Sequence, residues 1–238
     1  MLRTPTLTRR EAVVLRARLI ACGGREDLSS WAYAMLADIR AGSRSAQAIM
    51  HPLGFTCIKL YRSTSWGLCM HIWRSQEIPP DLITTPIHSH SWDLSSQVVC
   101  GSLENIEIHV IDAPPSPTHR VVEITSNGDT DLIQPTQRLV RCALAESVHI
   151  EAGENYCLPA GTFHVSRSRA AGLTATLLLA NHRHAAPELA LGGLNSCDHV
   201  IKRKACSPEL LRLIADVTLR DITAAHAAER PPPGDGIK

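Results

Sequence analysis

Two histidines separated by one residue, His88-Ser89-His90, stand at the end of an extended apolar run. Side chains on a strand alternate sides, so both imidazoles project from one face. A second stretch, from Gly153 through Pro159 and Gly161 to His164, reads as a short strand, a turn and a histidine just beyond it. Three neutral imidazoles meeting on one side of a sheet make a site for a divalent transition metal. The chemistry available to such a site is Lewis-acid or redox chemistry at a metal with open positions. No GxSxG nucleophile elbow and no phosphate loop competes with that reading.

The elements that must position these residues follow from the hydrophobic pattern. Thr8-Arg-Arg-Glu11 is a capping box, and it predicts a helix over 8–22 that Gly23-Gly24 stops. Residues 28–41 predict a second helix, with Trp31, Met35, Leu36 and Ile39 on one face. Strands are expected over 55–62, 67–74, 83–90, 95–100, 103–111, 120–125, 139–151, 155–158, 163–167 and 173–180, separated by Gly, Pro, Asn and Asp turns. Pro79-Pro80-Asp81 breaks the run. After Asn181 the strand pattern ends, and 192–205 is expected to be irregular. Ser207-Pro208-Glu209 then opens a helix over 208–228. Many short strands with Gly and Pro turns indicate an antiparallel β-barrel or sandwich.

Composition narrows the classes. The chain has 238 residues, 44% hydrophobic and 20% charged, with net charge +1. That is an ordinary globular balance, and one domain with appended helices suits the length. Without a basic block, nucleic acid is not expected as a partner. No apolar run reaches the ~20 residues of a membrane span, so no membrane partner is expected either. Residues 1–10 carry charges without a following secretory core. Eight cysteines are scattered singly, with no CxxC pair, and several lie in apolar strand patterns. They read as buried hydrophobes in a reducing, cytoplasmic compartment, and not as a zinc finger or a redox dithiol.

Together the two histidine stretches resemble the motifs of the cupin superfamily. The second cupin motif is Gly, five residues, Pro, one residue, Gly, two residues, His, and it is met by Gly153, Pro159, Gly161 and His164. The first is met by His88, His90 and Gly101. The resemblance covers about residues 54–182. It implies a mainly β fold: a single antiparallel cupin barrel of the jelly-roll type, with N-terminal helices and a C-terminal helix. The divisions are a helical segment at 1–50, the barrel at 51–185, and a C-terminal loop and helix with a frayed tail at 186–238. It also implies His88, His90 and His164 as metal ligands. Most metal cupins carry a Glu seven residues before the first-motif Gly, where this chain has Leu94. The site is therefore similar to the three-histidine type of the thiol dioxygenases.

That likeness implies Fe(II) as the metal, with Zn, Mn, Ni or Cu as alternatives imidazole also accepts. It implies a dioxygenase or oxidase that uses O2 on a small polar substrate, such as a thiol or amino-acid derivative. Two alternatives stay open: a non-redox metal cupin (lyase, isomerase or hydrolase), and a non-catalytic cupin that binds a small ligand. Association into a homodimer through the added helices follows by family analogy.

Other residues are assigned roles around the metal. Asp93 is the nearest carboxylate. Strand parity turns it away from His90, so it is a fourth ligand only if the backbone bulges, and otherwise a hydrogen-bond partner of a ligand. Tyr61 and Tyr156, together with Asp93, are the catalytic candidates. Arg62, Arg74 and Arg141 are candidates to hold a substrate carboxylate. Ser96 and Ser166 share parity with Leu94 and His164 and are candidates to face the cavity. His71, His109 and His149 read as structural, His182 and His184 as solvated, and Trp73 and Trp92 as packing.

Overall fold

The protein is described from a computed structural model, which covers residues 6–20, 28–74, 84–169, 172–182 and 187–228. Three helices are described: α1 (Arg9–Ile20), α2 (Ser29–Ala41) and α3 (Pro208–Ala228). Local signals set their ends. The Glu11 amide donates to Thr8 Oγ1 at 3.3 Å, and the Thr8 amide donates back to Glu11 Oε2 at 2.7 Å. The capping box is therefore closed in both directions. Gly42 ends α2 at φ 75°, a left-handed conformation that costs glycine least. The Ser207 hydroxyl accepts from the Leu210 amide at 3.2 Å and caps α3.

The described strands form two seven-stranded antiparallel sheets. The first holds β1 (Gln47–Met50), β2 (Phe55–Arg62), β3 (Trp66–Trp73), β5 (Trp92–Cys100), β9 (Asn155–Leu158), β11 (Thr174–His182) and β14 (Lys204–Ala205). The second holds β4 (His88–Ser89), β6 (Ser102–Asp112), β7 (His119–Asn127), β8 (Thr130–Glu151), β10 (His164–Ser168), β12 (Glu188–Gly192) and β13 (His199–Lys202). The 22-residue strand β8 pairs with β7 along its first half and with β6 along its second, so this sheet closes on itself.

The first sheet is buried on both faces, and its alternation decides what each face does. Ile58 and Leu60 of β2, Leu68, Met70 and Ile72 of β3, and Leu177 and Leu179 of β11 pack against the helices. They meet Leu15 and Leu19 of α1, Leu36 and Ile39 of α2, and Ile214 and Leu219 of α3. The intervening residues, among them Cys57, Cys69, His71 and Leu178, face a cavity between the two sheets. A strand covered on both sides reads as a continuous apolar run, which is the pattern of β3 and β11.

Several expectations are corrected here. Residues 47–50 are strand, paired with β2 and β14, and not part of a helical segment. The chain after Asn181 is not irregular: β12, β13 and β14 all lie beyond it. Their sequences are short and broken by Gly and Asn, so a period-two pattern has little room to show. Strand β8 begins at Thr130, nine residues before the expected Leu139. Pro135, which cannot donate to a ladder, masks that earlier half, and it sits next to the register shift of the β7–β8 pair. The Pro79-Pro80-Asp81 break lies outside the described residues.

Candidate metal centre

Strands β4 and β10 are neighbours, and His88 lies directly opposite His164 in their ladder. His90 follows two residues after His88. The three rings converge, with centroids 4.4 Å apart for His88–His164, 4.8 Å for His88–His90 and 5.2 Å for His90–His164. One ligand atom from each lies within 4.8 Å of the others. The sequence spacing thus delivers a cluster that only the pairing of two distant segments could complete.

Two of the rings have their tautomer set. His88 Nδ1 bonds the carbonyl of Pro86 at 2.9 Å, and His164 Nδ1 bonds that of Thr162 at 3.1 Å. A carbonyl only accepts, so each Nδ1 carries the proton and each Nε2 keeps its lone pair. This is the arrangement in which metal-bound imidazoles are usually held. His90 stacks on Trp92, with ring centroids 3.9 Å apart and 20° between planes. The Trp92 indole in turn donates to Glu188 at 2.9 Å. His90 Nδ1 is buried and has no hydrogen-bond partner. A buried ring nitrogen left without a partner costs free energy that a metal would recover. Three nitrogen donors and one such orphan fit a divalent transition metal.

Electrostatics keep the donors neutral. Burial is the main cause that lowers the pKa of all three histidines, to about 3 for His164. His88 pushes both His90 and His164 further down, and His164 adds to the effect on His90. Neutral imidazole is the form that binds metal.

The turn before His164 is pinned to the first motif. The Gly161 amide donates to the His90 carbonyl at 2.8 Å, and the Ala160 amide donates to Asp93 Oδ1 at 3.0 Å. Gly161 adopts φ 84°, which a side chain would strain. Asp93 points away from the cavity, as parity predicts, and braces the turn that aims His164. It is not among the clustered ligand atoms. Leu94 does line the cavity, as parity predicts.

The remaining candidates divide. Tyr156 and Ser166 line the cavity. Burial pushes the Tyr156 phenol up to about 12, against the pull of its hydrogen bonds with Ser96 and Ser166. Ser96 is buried directly opposite Tyr156 in the ladder and donates to the Leu177 carbonyl at 3.1 Å, so it supports the tyrosine and does not line the space. Tyr61 is not at the site: its ring stacks on Trp66 at 4.8 Å, on the helix side of the sheet. Arg62 does line the cavity. A register shift between Lys59 and Tyr61 in the β2–β3 pair reverses the parity, turning Tyr61 out and Arg62 in. Arg74 is exposed and outside the cavity, and Arg141 donates to the Ser116 carbonyl on the surface.

Other cavity residues escaped the sequence reading. His71, read as structural, faces the cavity, whereas His109 and His149 are exposed. His182 stands exposed at the rim, and His184 lies outside the described residues. Trp73 and Trp92 pack as expected, and both also wall the cavity. His51 stacks on Phe55, with centroids 4.3 Å apart, and burial holds its pKa well below the usual value. Arg203 reaches in from the far end of the chain, its guanidinium paired with Asp131 at 2.6 and 2.7 Å. Cys57 and Cys69 also meet here. Their mutual hydrogen bond holds Cys69 well below the usual thiol range and pushes Cys57 well above it. Nothing in the spacing of these residues announces a shared cavity.

No family model matches the chain, and no curated protein matches it. Solved structures give distant likenesses. SPY1581 of Streptococcus pyogenes, a conserved protein of unknown function, is 14% identical over 57% of this chain and 80% of its own, with a TM-score of 0.32. The polyketide cyclase RemF from Streptomyces resistomycificus is 14% identical over 64% of this chain and 80% of its own, at 0.36. The hydroxypropylphosphonic acid epoxidase from S. wedmorenis is 10% identical over 57% of this chain and 55% of its own, at 0.33. Likeness at this level carries no argument about function. What the fold and site define directly is a mainly β chain of two antiparallel sheets with a three-histidine cluster in the cavity between them.

Proposed function

We propose that the chain is a metal-dependent enzyme of the cupin type, its second sheet and the cavity wall forming the jelly-roll barrel. His88, His90 and His164 hold one divalent ion. The carrying observation is the convergence of three neutral imidazoles, two fixed by backbone carbonyls and one left with an orphaned buried nitrogen. Fe(II) is the ion of choice. When bound, it supplies the electron-transfer chemistry that lets O2 attack an organic substrate. With no carboxylate among the clustered donors, the site retains the full positive charge of the ion and favours an anionic substrate atom, such as a thiolate or carboxylate.

The chain's own residues supply the rest. Trp92, Leu94, Leu178 and Phe55 keep the cavity wall apolar. Tyr156 stays protonated at neutral pH and lines the same cavity as the cluster. Arg62 and Lys59 supply positive charge to the cavity for a small polar substrate, a thiol or amino-acid derivative. The reading includes a reducing, cytoplasmic setting, supported by seven described cysteines that form no disulfide with one another. No helix among the described residues is long and apolar enough to cross a membrane. A homodimer through the helical face is also part of it, supported by exposed Val13, Val14 and Ile20 on α1.

The test is metal content by plasma mass spectrometry on protein purified anaerobically without added metal, beside His164→Ala, followed by oxygen-uptake screens with thiols and amino acids. About one iron per chain, lost in the variant, with substrate-dependent oxygen uptake, is the expected result. Turnover that persists without oxygen overturns the oxygenase reading in favour of Lewis-acid chemistry. No metal after reconstitution overturns the enzyme.

A further inference from the structure

We propose that Cys57, Cys69 and His71 form a second metal site, for a thiophilic ion such as Zn2+, on the wall of the cavity that the first sheet supplies. This site uses none of the three clustered histidines. It therefore goes beyond the mononuclear reading and stands independently of it.

The geometry comes from one strand pair. In the β2–β3 ladder Cys57 lies opposite His71 and Lys59 opposite Cys69, so Cys57 and Cys69 are diagonal neighbours on one face. Diagonal and facing positions on one side of an antiparallel pair bring long side chains into contact. One donor atom from each of the three residues lies within 4.8 Å of the others. Both cysteines are buried, and His71 is half-buried. A tetrahedral zinc with Zn–S bonds of about 2.3 Å spaces two sulfurs roughly 3.8 Å apart. Closure therefore takes side-chain adjustments of about 1 Å on a fixed ladder.

Arg62 is an independent pointer. Its guanidinium donates to Cys69 Sγ at 3.6 Å. It reaches that position by folding over Gly67, where a Cβ would stand 2.5 Å from its Nη1. A guanidinium held against a sulfur favours the thiolate, the form that ligates metal. Two thiolates and one imidazole with an open fourth position form the donor pattern of zinc sites that also bind a substrate or water. All three residues line the same cavity as the three histidines.

The experiment uses reduced, metal-stripped protein titrated with Co2+. A thiolate-to-cobalt charge-transfer band in the near ultraviolet is expected, saturating at about one ion per chain and bleached by Zn2+. The band persists in His164→Ala and is lost in the Cys57→Ser/Cys69→Ser double variant. Failure of the three-histidine reading leaves this band intact, whereas failure of the present proposal removes the band and leaves iron content unchanged. If the double variant does not fold, cadmium NMR on the wild-type protein decides. A resonance in the two-sulfur range supports the site, and nitrogen- or oxygen-range resonances alone overturn it. A band that survives in a folded double variant, or a Cys57–Cys69 disulfide in anaerobically purified protein, also overturns it.

Discussion

The Gly161 amide donates to the His90 carbonyl at 2.8 Å, so the turn that aims His164 is tied to the segment that carries the other two ring donors. Asp93, three residues after His90, holds the adjacent Ala160 amide at 3.0 Å. The two motifs are therefore one mechanical unit. Asp93 acts on the site through the backbone of the opposite turn.

This role makes the choice of substitution informative. Asp93→Ala leaves the Ala160 amide without its partner and loosens the turn. Stability should fall by about 1 kcal/mol, and metal affinity by about tenfold, as for other residues that support ligands. Asp93→Asn keeps an acceptor oxygen and should retain most of both. Chemical unfolding and competition with a metal chelator measure the two effects. An Asn variant as impaired as the Ala variant would contradict a purely bracing role.

Trp92 supports His90 by stacking and is itself fixed by Glu188. Trp92→Leu should reduce metal affinity by about tenfold while leaving the protein folded. Trp92→Phe, which keeps an aromatic face, should lose less. Isothermal titration with the metal separates the two variants.

Tyr156 lines the cavity with its pKa pushed up to about 12 by burial, so it serves as a hydrogen-bond donor and not as a base at neutral pH. Tyr156→Phe removes the O–H and little volume. Turnover of the substrate found in the uptake screen should drop about 100-fold, the cost typical of one removed donor to developing charge. Metal content should not change. A rate profile in which Tyr156 titrates near pH 7 would contradict the assignment.

The metal-free protein should be acid-sensitive for a definite reason. His164 titrates at about 3 folded and near 6.5 unfolded. Between those values the unfolded chain binds the extra proton, so stability rises with pH. Its contribution is complete above about pH 6.5 and is lost as the pH falls toward 3. At pH 5 the loss from His164 alone is on the order of 2 kcal/mol. His88 and His90 act in the same direction. Urea unfolding of the metal-free protein at pH 7 and pH 5 measures the difference. Equal stability at both would show that the histidines are not buried as neutral rings.

Local chemistry was legible from residue types alone. The capping box at Thr8 and Glu11 and the cap at Ser207 are both formed. Each depends on neighbours within a few residues, which one sequence displays completely. The histidine pair and the Gly153–His164 turn were legible for the same reason. Strand parity also turned Asp93 out and Leu94 in, and the β5–β11 pair carries both positions without a register shift from Trp92 to Val98.

Long-range pairing decided the rest. The shift between Lys59 and Tyr61 exchanged the faces of Tyr61 and Arg62, and a bulge set by the opposing strand leaves no mark in the residues it displaces. Arg203 and Glu188 joined the cavity through short strands near the C-terminus, whose partners are 60 or more residues away in sequence. Cys57, Cys69 and His71 look like isolated buried residues until β2 and β3 pair in a fixed register. The sequence by itself determined which residues could ligate a metal and which turns aim them. Only the tertiary structure decided which donors share a cavity, because ladder register and sheet closure depend on contacts between segments far apart in the chain.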